Sequence, residues 1–168
     1  KDDKDLFSKY GDLKDTYVVI WTTTPWTLLG NQAITLNKDF EYALVEANLD
    51  GKKERYVMAK ELVENVMSLV NTDGYNIIAT FKGIELENII CENPVIDNKT
   101  SRVILGSDKD LLVTLDAGTG CVHTAPGHGH EDYLCCKRYK DIKIIVPVDK
   151  HGKMTKEAGR FEGLFYAK

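Results

Sequence analysis

Residues 17–26 read Tyr17-Val18-Val19-Ile20-Trp21-Thr22-Thr23-Thr24-Pro25-Trp26 and join an apolar run to a polar turn. The apolar part has the length of a buried β-strand. Because a proline disfavours helical geometry in the residue before it, we expect Thr24 as the N-cap and Pro25 as the first residue of a short helical turn. Such a start presents hydroxyls and backbone N–H groups that suit a developing negative oxygen. On spacing alone a purely structural role is favoured, with Thr24 capping the turn and Trp26 filling the core.

The remaining periodicity predicts more strands than helices. Further strands are expected at 33–36, 42–47, 55–58, 75–81, 102–105, 111–115, 121–123 and 142–148. Asp50-Gly51 predicts a hairpin between the strands on either side of it. Apolar residues at helical spacing predict an amphipathic helix over 60–70, and a second helix is expected over 131–139. These elements predict an α+β fold, in which a barrel-like, mixed or antiparallel β-sheet carries a few covering helices.

The composition indicates an ordinary globular protein that does not bind nucleic acid tightly by itself. Of 168 residues, 43% are apolar and 29% are charged, and the net charge is −4. Domains that bind nucleic acid tightly are usually basic, so any such contact should be local. No apolar run approaches the roughly 20 residues of a membrane span, and the charged start of the chain does not resemble a signal peptide.

The cysteines and the start of the chain bear on location and domain organisation. Four cysteines without a CxxC pair favour reduced thiols and a cytoplasmic location. Residues 1–168 are long enough for one domain with a core of its own. Because the chain lacks an initiating methionine, we interpret it as one domain cut from a longer protein.

A second segment concentrates titratable side chains on a glycine-rich loop. Residues 118–133 read GTGCVHTAPGHGHEDY and contain three of the four histidines. The residues leave two functions open. One is a metal site, and the other is a metal-free pocket in which a carboxylate binds an amine while a histidine forms a wall or carries a proton. The spacing matches no common zinc pattern, which disfavours a metal site built from His123, His128, His130 and Asp132.

Each of these histidines also has a simpler explanation. A histidine taken singly on such a loop is more often a surface or hydrogen-bonded residue than a ligand. Asp132, in contrast, falls in the first turn of the expected helix, where the helix dipole favours its ionised form, and an ionised carboxylate in a pocket can bind an ammonium group.

Together the two segments resemble the editing domain that is inserted in the catalytic fold of isoleucyl-tRNA synthetases. The matching text is WTTTPWTLLGN at 21–31 and GTGCVHTAPGHGHEDY at 118–133. The related valine and leucine enzymes carry Thr-Thr-Arg-Pro in the first segment and lack a histidine at the position of His123. The third threonine and this histidine therefore favour the isoleucine family, and the wording HTAPGHG is similar to that of its bacterial members. Leu29 and Gly30 depart from the family, which has a proline and a small residue there.

The resemblance implies hydrolysis of valine mis-attached to isoleucine tRNA, by attack of a positioned water on the ester. Valine is one methylene smaller than isoleucine, and the isoleucine enzyme is itself the standard example of a pocket that rejects such an analogue only about 150-fold. In the family, Asp132 would hold the α-ammonium group and His123 would exclude the larger side chain. The resemblance also assigns residues that line the pocket and bind adenosine, ester or water, and residues that shape the pocket. The first group is Thr22, Thr23 and Thr24, which are expected to act in catalysis together with Asp132. The second group is Trp26 and Asn31, and His128 is expected to bind the substrate.

The resemblance also implies partners and leaves alternatives open. It implies no metal or other cofactor, and Cys121 is not needed as a nucleophile. The implied partners are the acceptor end of isoleucine tRNA carrying valine and the remainder of the synthetase, with the domain itself monomeric and free of membrane. Valyl-adenylate is a second candidate substrate. Three alternatives remain: threonine editing in a valine-type synthetase, a tRNA acceptor-end binding module without catalysis, and a metal-dependent hydrolase of unrelated substrate.

Overall fold

Two four-stranded β-sheets organise the computed structural model, which describes residues 6–11, 13–107 and 112–166. The first sheet has the order β1-β4-β3-β5, and the second has the order β6-β7-β2-β8. Both sheets are mixed, because β1 runs parallel to β4 and β2 runs parallel to β7, while the other pairs are antiparallel. The strands are β1 (Thr16–Val18), β2 (Ala33–Leu36), β3 (Glu41–Leu49), β4 (Lys52–Ala59), β5 (Thr72–Lys82), β6 (Ile90–Glu92), β7 (Thr100–Leu105) and β8 (Val122–Thr124).

Local sequence explains the β3–β4 hairpin at the centre of the first sheet. Asp50 and Gly51 have φ angles of 52° and 79°, the left-handed geometry that a two-residue hairpin turn requires. Alternate side chains of β3 pack on opposite faces of the sheet. Tyr42 and Leu44 join the larger core cluster, while Ala43 and Val45 pack under the predicted helix. The hairpin is therefore buried on both faces over 42–45 and 57–59, whereas the end next to the turn is more exposed.

The helices are few and short, in agreement with the predicted α+β class. The helix expected over 60–70 is present as a 3₁₀ turn (Lys60–Leu62) followed by α1 (Val63–Ser68), and its apolar side packs on the first sheet. The second, α2, spans His130–Cys136, and its last two residues pack against Ala33 and Ile104 of the second sheet. Within the described residues, every helix is too short or too polar to cross a membrane. Further 3₁₀ helices are Ser8–Tyr10, Leu13–Asp15, Pro25–Gly30, Gly83–Leu86 and Lys156–Phe161.

Two predicted strands are wrong, and a third is shorter than expected. Residues 112–115 form turns rather than a strand, while residue 111 lies outside the described part of the chain. Residues 142–147 belong to no ladder, and Val148 forms only an isolated bridge to Met154. An apolar run therefore need not mark a ladder: in 142–148, Ile144 and Val146 are 55% and 48% exposed, and the proline at 147 cannot donate to a ladder. The strand expected over 17–21 already ends at residue 18.

The two sheets meet at one corner, and this corner positions residues 22–27, which are called the threonine turn below. After β1 the chain crosses to the second sheet, where Trp21 forms a parallel bridge with Val122 of β8. Close by, Ala59 N donates to Thr119 O at 2.8 Å. A side chain at residue 120 would place its Cβ 2.4 Å from Ala59 Cβ, so only glycine allows the two sheets to approach here. The corner brings the turn after Trp21 beside the loop that follows β8.

Candidate functional site

The threonine turn and the loop after β8 enclose a cavity of about 240 Å³. Polar side chains of both motifs line it, together with small residues of the loop and one large aromatic ring. Asp132 is the only carboxylic acid among these lining residues, and none of them is a lysine or an arginine. The lining residues are Trp21, Thr22, Thr24, Thr27, His123, Ala125, His128, Gly129 and Asp132.

A second, larger and more open hollow of about 500 Å³ lies at the end of β7. Its polar groups are already hydrogen-bonded within the protein. Tyr139 Oη donates to Glu87 Oε1 at 2.7 Å, and Arg138 Nη2 donates to Leu105 O at 2.7 Å. The smaller cavity is therefore the better candidate, because its titratable groups converge on one space.

The threonine turn has the predicted backbone and an unpredicted hydrogen-bond pattern. Pro25–Gly30 forms a 3₁₀ helix with Thr24 as N-cap and proline as the first residue. The Thr24 side chain caps no backbone N–H group. Instead, Thr24 N donates to Thr22 Oγ1 at 3.1 Å, and Thr27 Oγ1 donates to Thr24 O at 2.8 Å. Thr24 Oγ1 lies 3.4 Å from Thr22 Oγ1 and 3.3 Å from Thr27 Oγ1, so three hydroxyls form one chain along the cavity wall.

His123 forms a rigid part of the opposite wall. It lies on β8, is only 9% exposed, and is held at both ring nitrogens. Nε2 lies 3.0 Å from Thr27 Oγ1, and Nδ1 lies 2.7 Å from Asn31 Nδ2. Burial, with a smaller effect from His128, lowers the pKa of His123 to about 4. The ring is therefore neutral at physiological pH.

Asp132 supplies the single carboxylate of the cavity. It lies in the first turn of α2, as the sequence predicts, and its Oδ2 accepts from Ala125 N at 2.8 Å. Burial raises the pKa of Asp132, and this effect exceeds the opposing effects of the Ala125 hydrogen bond and of His128. The expectation that the helix would favour the ionised form is thus outweighed by desolvation. A Cβ on residue 129 would lie 2.8 Å from Asp132 Cγ, so glycine is needed to let the carboxylate fold back over the loop.

His128 brings an unsatisfied polar atom to the same space. Its Nε2 is buried, and no described residue forms a hydrogen bond with it. Burial lowers the pKa of His128, although Asp132 acts in the opposite direction. A Cβ at residue 30 would lie 2.9 Å from His128 Cδ2, so the glycine that departs from the expected family pattern allows the imidazole to lie against the threonine turn.

Comparisons with known proteins give the chain a family. No family model matches it. The isoleucine–tRNA ligase of Caldicellulosiruptor bescii is 56% identical over 167 residues, which are 98% of this chain and 17% of that protein. The isoleucine–tRNA ligase of Natranaerobius thermophilus is 44% identical over 168 residues, which are 100% of this chain and 17% of that protein. The chain belongs to the isoleucine–tRNA ligase family.

Solved structures agree with this assignment at the level of the fold. GlLeuRS-CP1 matches with a TM-score of 0.64 and 19% identity, covering 80% of this chain and 49% of that one. The editing domain of P. falciparum cytosolic leucyl-tRNA synthetase matches with a TM-score of 0.62 and 16% identity, covering 81% and 52%. The fold is therefore that of synthetase editing domains, which confirms the resemblance drawn from the two motifs. The chain spans about 17% of the length of its ligase relatives and corresponds to one segment of them.

The structure brings most, but not all, of the ligase motif residues to the cavity. Thr22, Thr24, His123, His128 and Asp132 line it. The remaining three of the expected site residues lie elsewhere, each for a visible reason. Thr23 is exposed and does not line the cavity, Trp26 packs into a separate apolar cluster with its ring 5.1 Å from that of Tyr166, and Asn31 lies behind His123.

Other side chains that the sequence singled out have structural roles or none in the cavity. Cys121 is buried, desolvation raises the pKa of its thiol, and its Sγ faces Val57 O. His130 is exposed. Over 6–11, 13–107 and 112–166, no three His, Cys, Asp or Glu side chains are grouped so as to hold a metal ion. Sequence reasoning did not assign four of the lining residues to the site: Trp21, Thr27, Ala125 and Gly129. Thr27 could have been found, because its position three residues after Thr24 in a helical turn places both on one face.

The lowered pKa of His123 gives a stability prediction for this ligase segment. The folded chain resists protonation of His123 down to about pH 4, whereas an unfolded histidine binds a proton near pH 6.5. Stability contributed by the neutral ring is therefore complete above pH 6.5 and is lost as the pH falls toward 4. The expected loss is at most about 3 kcal/mol, and a His123→Gln variant should not show it.

Urea unfolding at pH 7.5 and pH 4.5 measures this loss for the unmodified chain and for His123→Gln. His151→Gln, at an exposed turn, is the matched control and should behave as the unmodified chain does. An equal loss of stability on acidification in the unmodified chain and in His123→Gln would contradict the prediction.

Proposed function

We propose that the chain hydrolyses the ester that joins valine to the terminal adenosine of isoleucine tRNA. One observation carries the proposal: the cavity contains a single half-buried carboxylate and otherwise neutral groups. An α-ammonium group fits this arrangement, because it supplies the positively charged partner that the desolvated carboxylate does not have among the lining residues. Binding of the ammonium would lower the pKa of Asp132 again and keep it ionised.

The neutral, immobile wall supports selection by size. His123 is buried and is held on both sides by Asn31 and Thr27, so it cannot easily yield to a longer side chain. In a pocket of fixed shape, one additional methylene is worth about 1–3 kcal/mol. A wall of this kind would admit valine and disfavour isoleucine, which is the discrimination that an editing site needs.

The hydroxyl chain and the rim of the cavity support the chemistry and the binding of the nucleotide. Thr22 and Thr24 present hydroxyls to the cavity, where they can orient a water and stabilise the oxygen that becomes negative during its attack. Trp21 is 62% exposed while lining the cavity. A base stacked on such a ring gains roughly 1–3 kcal/mol, so we assign Trp21 as a platform for the terminal adenine.

The proposal extends to the partners and the setting of the reaction. The partner would be the acceptor end of isoleucine tRNA carrying valine, presented by the remainder of the ligase in the cytoplasm. With a net charge of −4, the segment would leave most of the tRNA binding to that remainder. The segment by itself would be monomeric, and its reaction would need no cofactor.

The direct test uses the 168-residue chain in molar excess over isoleucine tRNA charged with radiolabelled valine, threonine or isoleucine. The valyl ester should decay faster than it does without protein, and the isoleucyl ester should decay at the uncatalysed rate. Addition of EDTA should change neither rate.

Each other outcome would overturn the proposal in a specific way. Selective loss of the threonyl ester would indicate threonine editing, and loss of activity with EDTA would indicate a metal-dependent hydrolase. A valyl ester that keeps its uncatalysed lifetime at saturating protein would leave, at most, a tRNA-end binding module. An amide-linked valyl-adenosine, which cannot be hydrolysed, then reports by calorimetry whether the cavity binds the aminoacyl end at all.

A further inference from the structure

A buried hydrogen-bond chain crosses the second sheet and ends at the cavity wall. It begins at Ser101 on β7, where Ser101 Oγ donates to Asn31 Oδ1. Asn31, just before β2, has its Nδ2 3.0 Å from Ala33 O and 2.7 Å from His123 Nδ1. His123 on β8 continues the chain through Nε2 to Thr27 Oγ1 at 3.0 Å. Ser101, Asn31 and His123 thus connect β7, the start of β2 and β8 to the threonine turn.

The groups at the Ser101 end of this hydrogen-bond chain determine which atoms donate and which accept. The carbonyl of Ala33 can only accept, so the group of Asn31 that faces it is the NH₂ group. The Ser101 hydroxyl supplies a proton to the oxygen on the other side of the same amide. Asn31 therefore presents a donor to His123 Nδ1, which must be the bare nitrogen, and the ring proton lies on Nε2.

The same order of donors and acceptors continues from His123 to the threonines that line the cavity. His123 Nε2 donates to Thr27 Oγ1, and the single Thr27 hydroxyl proton is directed to Thr24 O at 2.8 Å. Thr22 Oγ1 accepts from Thr24 N at 3.1 Å. Thr22 Oγ1 and Thr24 Oγ1 lie 3.4 Å apart and either can donate to the other, so the Thr22 proton is available to an oxygen bound in the cavity when Thr24 is the donor. A reversed amide at Asn31 would reverse the ring tautomer and remove this order.

We propose that Ser101 is a positioning residue for this site, which orients the Asn31 amide and thereby fixes the tautomer and the ring position of His123. Ser101 is 2% exposed, lies outside both sequence motifs and does not line the cavity. Its effect on editing rests on the function proposed above. Its effect on His123 does not, because the tautomer exists without any substrate.

Long-range ¹⁵N–¹H spectra of the 168-residue chain distinguish the protonated from the bare ring nitrogen of His123. The unmodified chain should show one tautomer, protonated at Nε2, from pH 5.5 to pH 8. In Ser101→Ala, the Asn31 oxygen loses its donor, and we expect mixed tautomers and a His123 signal that titrates at higher pH. Ser101→Cys keeps a similar shape with a weaker donor and should change the signal in the same direction, while Ser101→Thr keeps the hydroxyl and should restore it.

The matched control removes a different buried hydroxyl from the same sheet. Thr35 is fully buried on β2, and its Oγ1 bonds Thr124 Oγ1 at 2.7 Å rather than Asn31 or His123. Thr35→Val should therefore leave the His123 spectrum unchanged even if it lowers stability. A single Nε2-protonated tautomer in both Ser101→Ala and Ser101→Cys would overturn the proposal.

The aminoacyl esters provide the second measurement. Ser101→Ala should lower the ratio of valyl to isoleucyl ester hydrolysis by about 2- to 10-fold, the range that corresponds to one neutral hydrogen bond. Ser101→Thr and Thr35→Val should keep the ratio. If the tautomer changes but the unmodified chain hydrolyses no ester, the proposed function fails and the positioning role stands. If hydrolysis is normal and selective in Ser101→Ala, the positioning role fails and the function stands.

Discussion

Asp132→Asn should lower kcat/KM for hydrolysis of the valyl ester by about 10- to 100-fold, with most of the loss in substrate binding. The substitution removes the charge but keeps the size of the side chain, and the amide oxygen can still accept from Ala125 N. A hydrogen bond between charged groups contributes about 1.5–3 kcal/mol, which corresponds to that range of rates. Single-turnover deacylation of valyl-tRNA over a range of protein concentrations separates binding from the chemical step.

The same variant should be at least as stable as the unmodified chain at pH 7. Since burial raises the pKa of Asp132, the folded state binds this proton more tightly than the unfolded state does. Its ionised form therefore costs stability as the pH rises above the ordinary range of an aspartate. Glu131→Gln, an exposed carboxylate in the same helical turn, is the matched control and should preserve the rate. Normal hydrolysis by Asp132→Asn would remove the anchor from the mechanism.

His123→Ala should make the cavity accept isoleucine. Loss of the imidazole removes the wall that Asn31 and Thr27 hold in place. The discrimination at stake is that of one methylene, so hydrolysis of the isoleucyl ester should rise by about 10-fold or more over the unmodified chain. The measurement is deacylation of correctly charged isoleucine tRNA, for which the unmodified chain should match the uncatalysed rate.

Exposed His130 provides the control for this variant, because it lies near His123 in the sequence, at the start of α2, without lining the cavity. His130→Ala should continue to spare the isoleucyl ester. If His123→Ala spares it as well, size exclusion must come from another part of the cavity, and the role assigned to the buried ring is wrong. Stability measured in parallel shows whether the unpaired Asn31 and Thr27 have loosened the fold.

Local patterns were enough to predict the elements whose geometry is set by neighbouring residues. Asp50-Gly51 specifies its own turn, Thr24-Pro25 specifies its own helical start, and helical spacing over 60–70 specifies α1. Apolar runs were less informative, because a run of apolar residues need not pair in a ladder. In the wrong strand at 142–148, Ile144 and Val146 are exposed, and only Val148 forms a bridge.

The site residues likewise divide into those that a local pattern predicted and those that only the fold brings together. His123 and Asp132 stood out because they lie in one short, unusual stretch of the sequence, 118–133. The positions of Thr27 and Ser101 relative to this stretch could not be predicted, since 96 residues separate Thr27 from His123 and 70 residues separate Ser101 from Asn31. Only the pairing of β2 with both β7 and β8 brings these side chains together.

The absence of lysine and arginine from the cavity lining has a consequence for turnover. Cleavage of the ester converts the amino acid from a cation into a zwitterion, with a new carboxylate close to Asp132. None of the lining residues can neutralise that second negative charge. If the site is the proposed editing site, free valine should therefore be expelled by like-charge repulsion and should inhibit poorly, so a large cellular pool of the amino acid would not silence it.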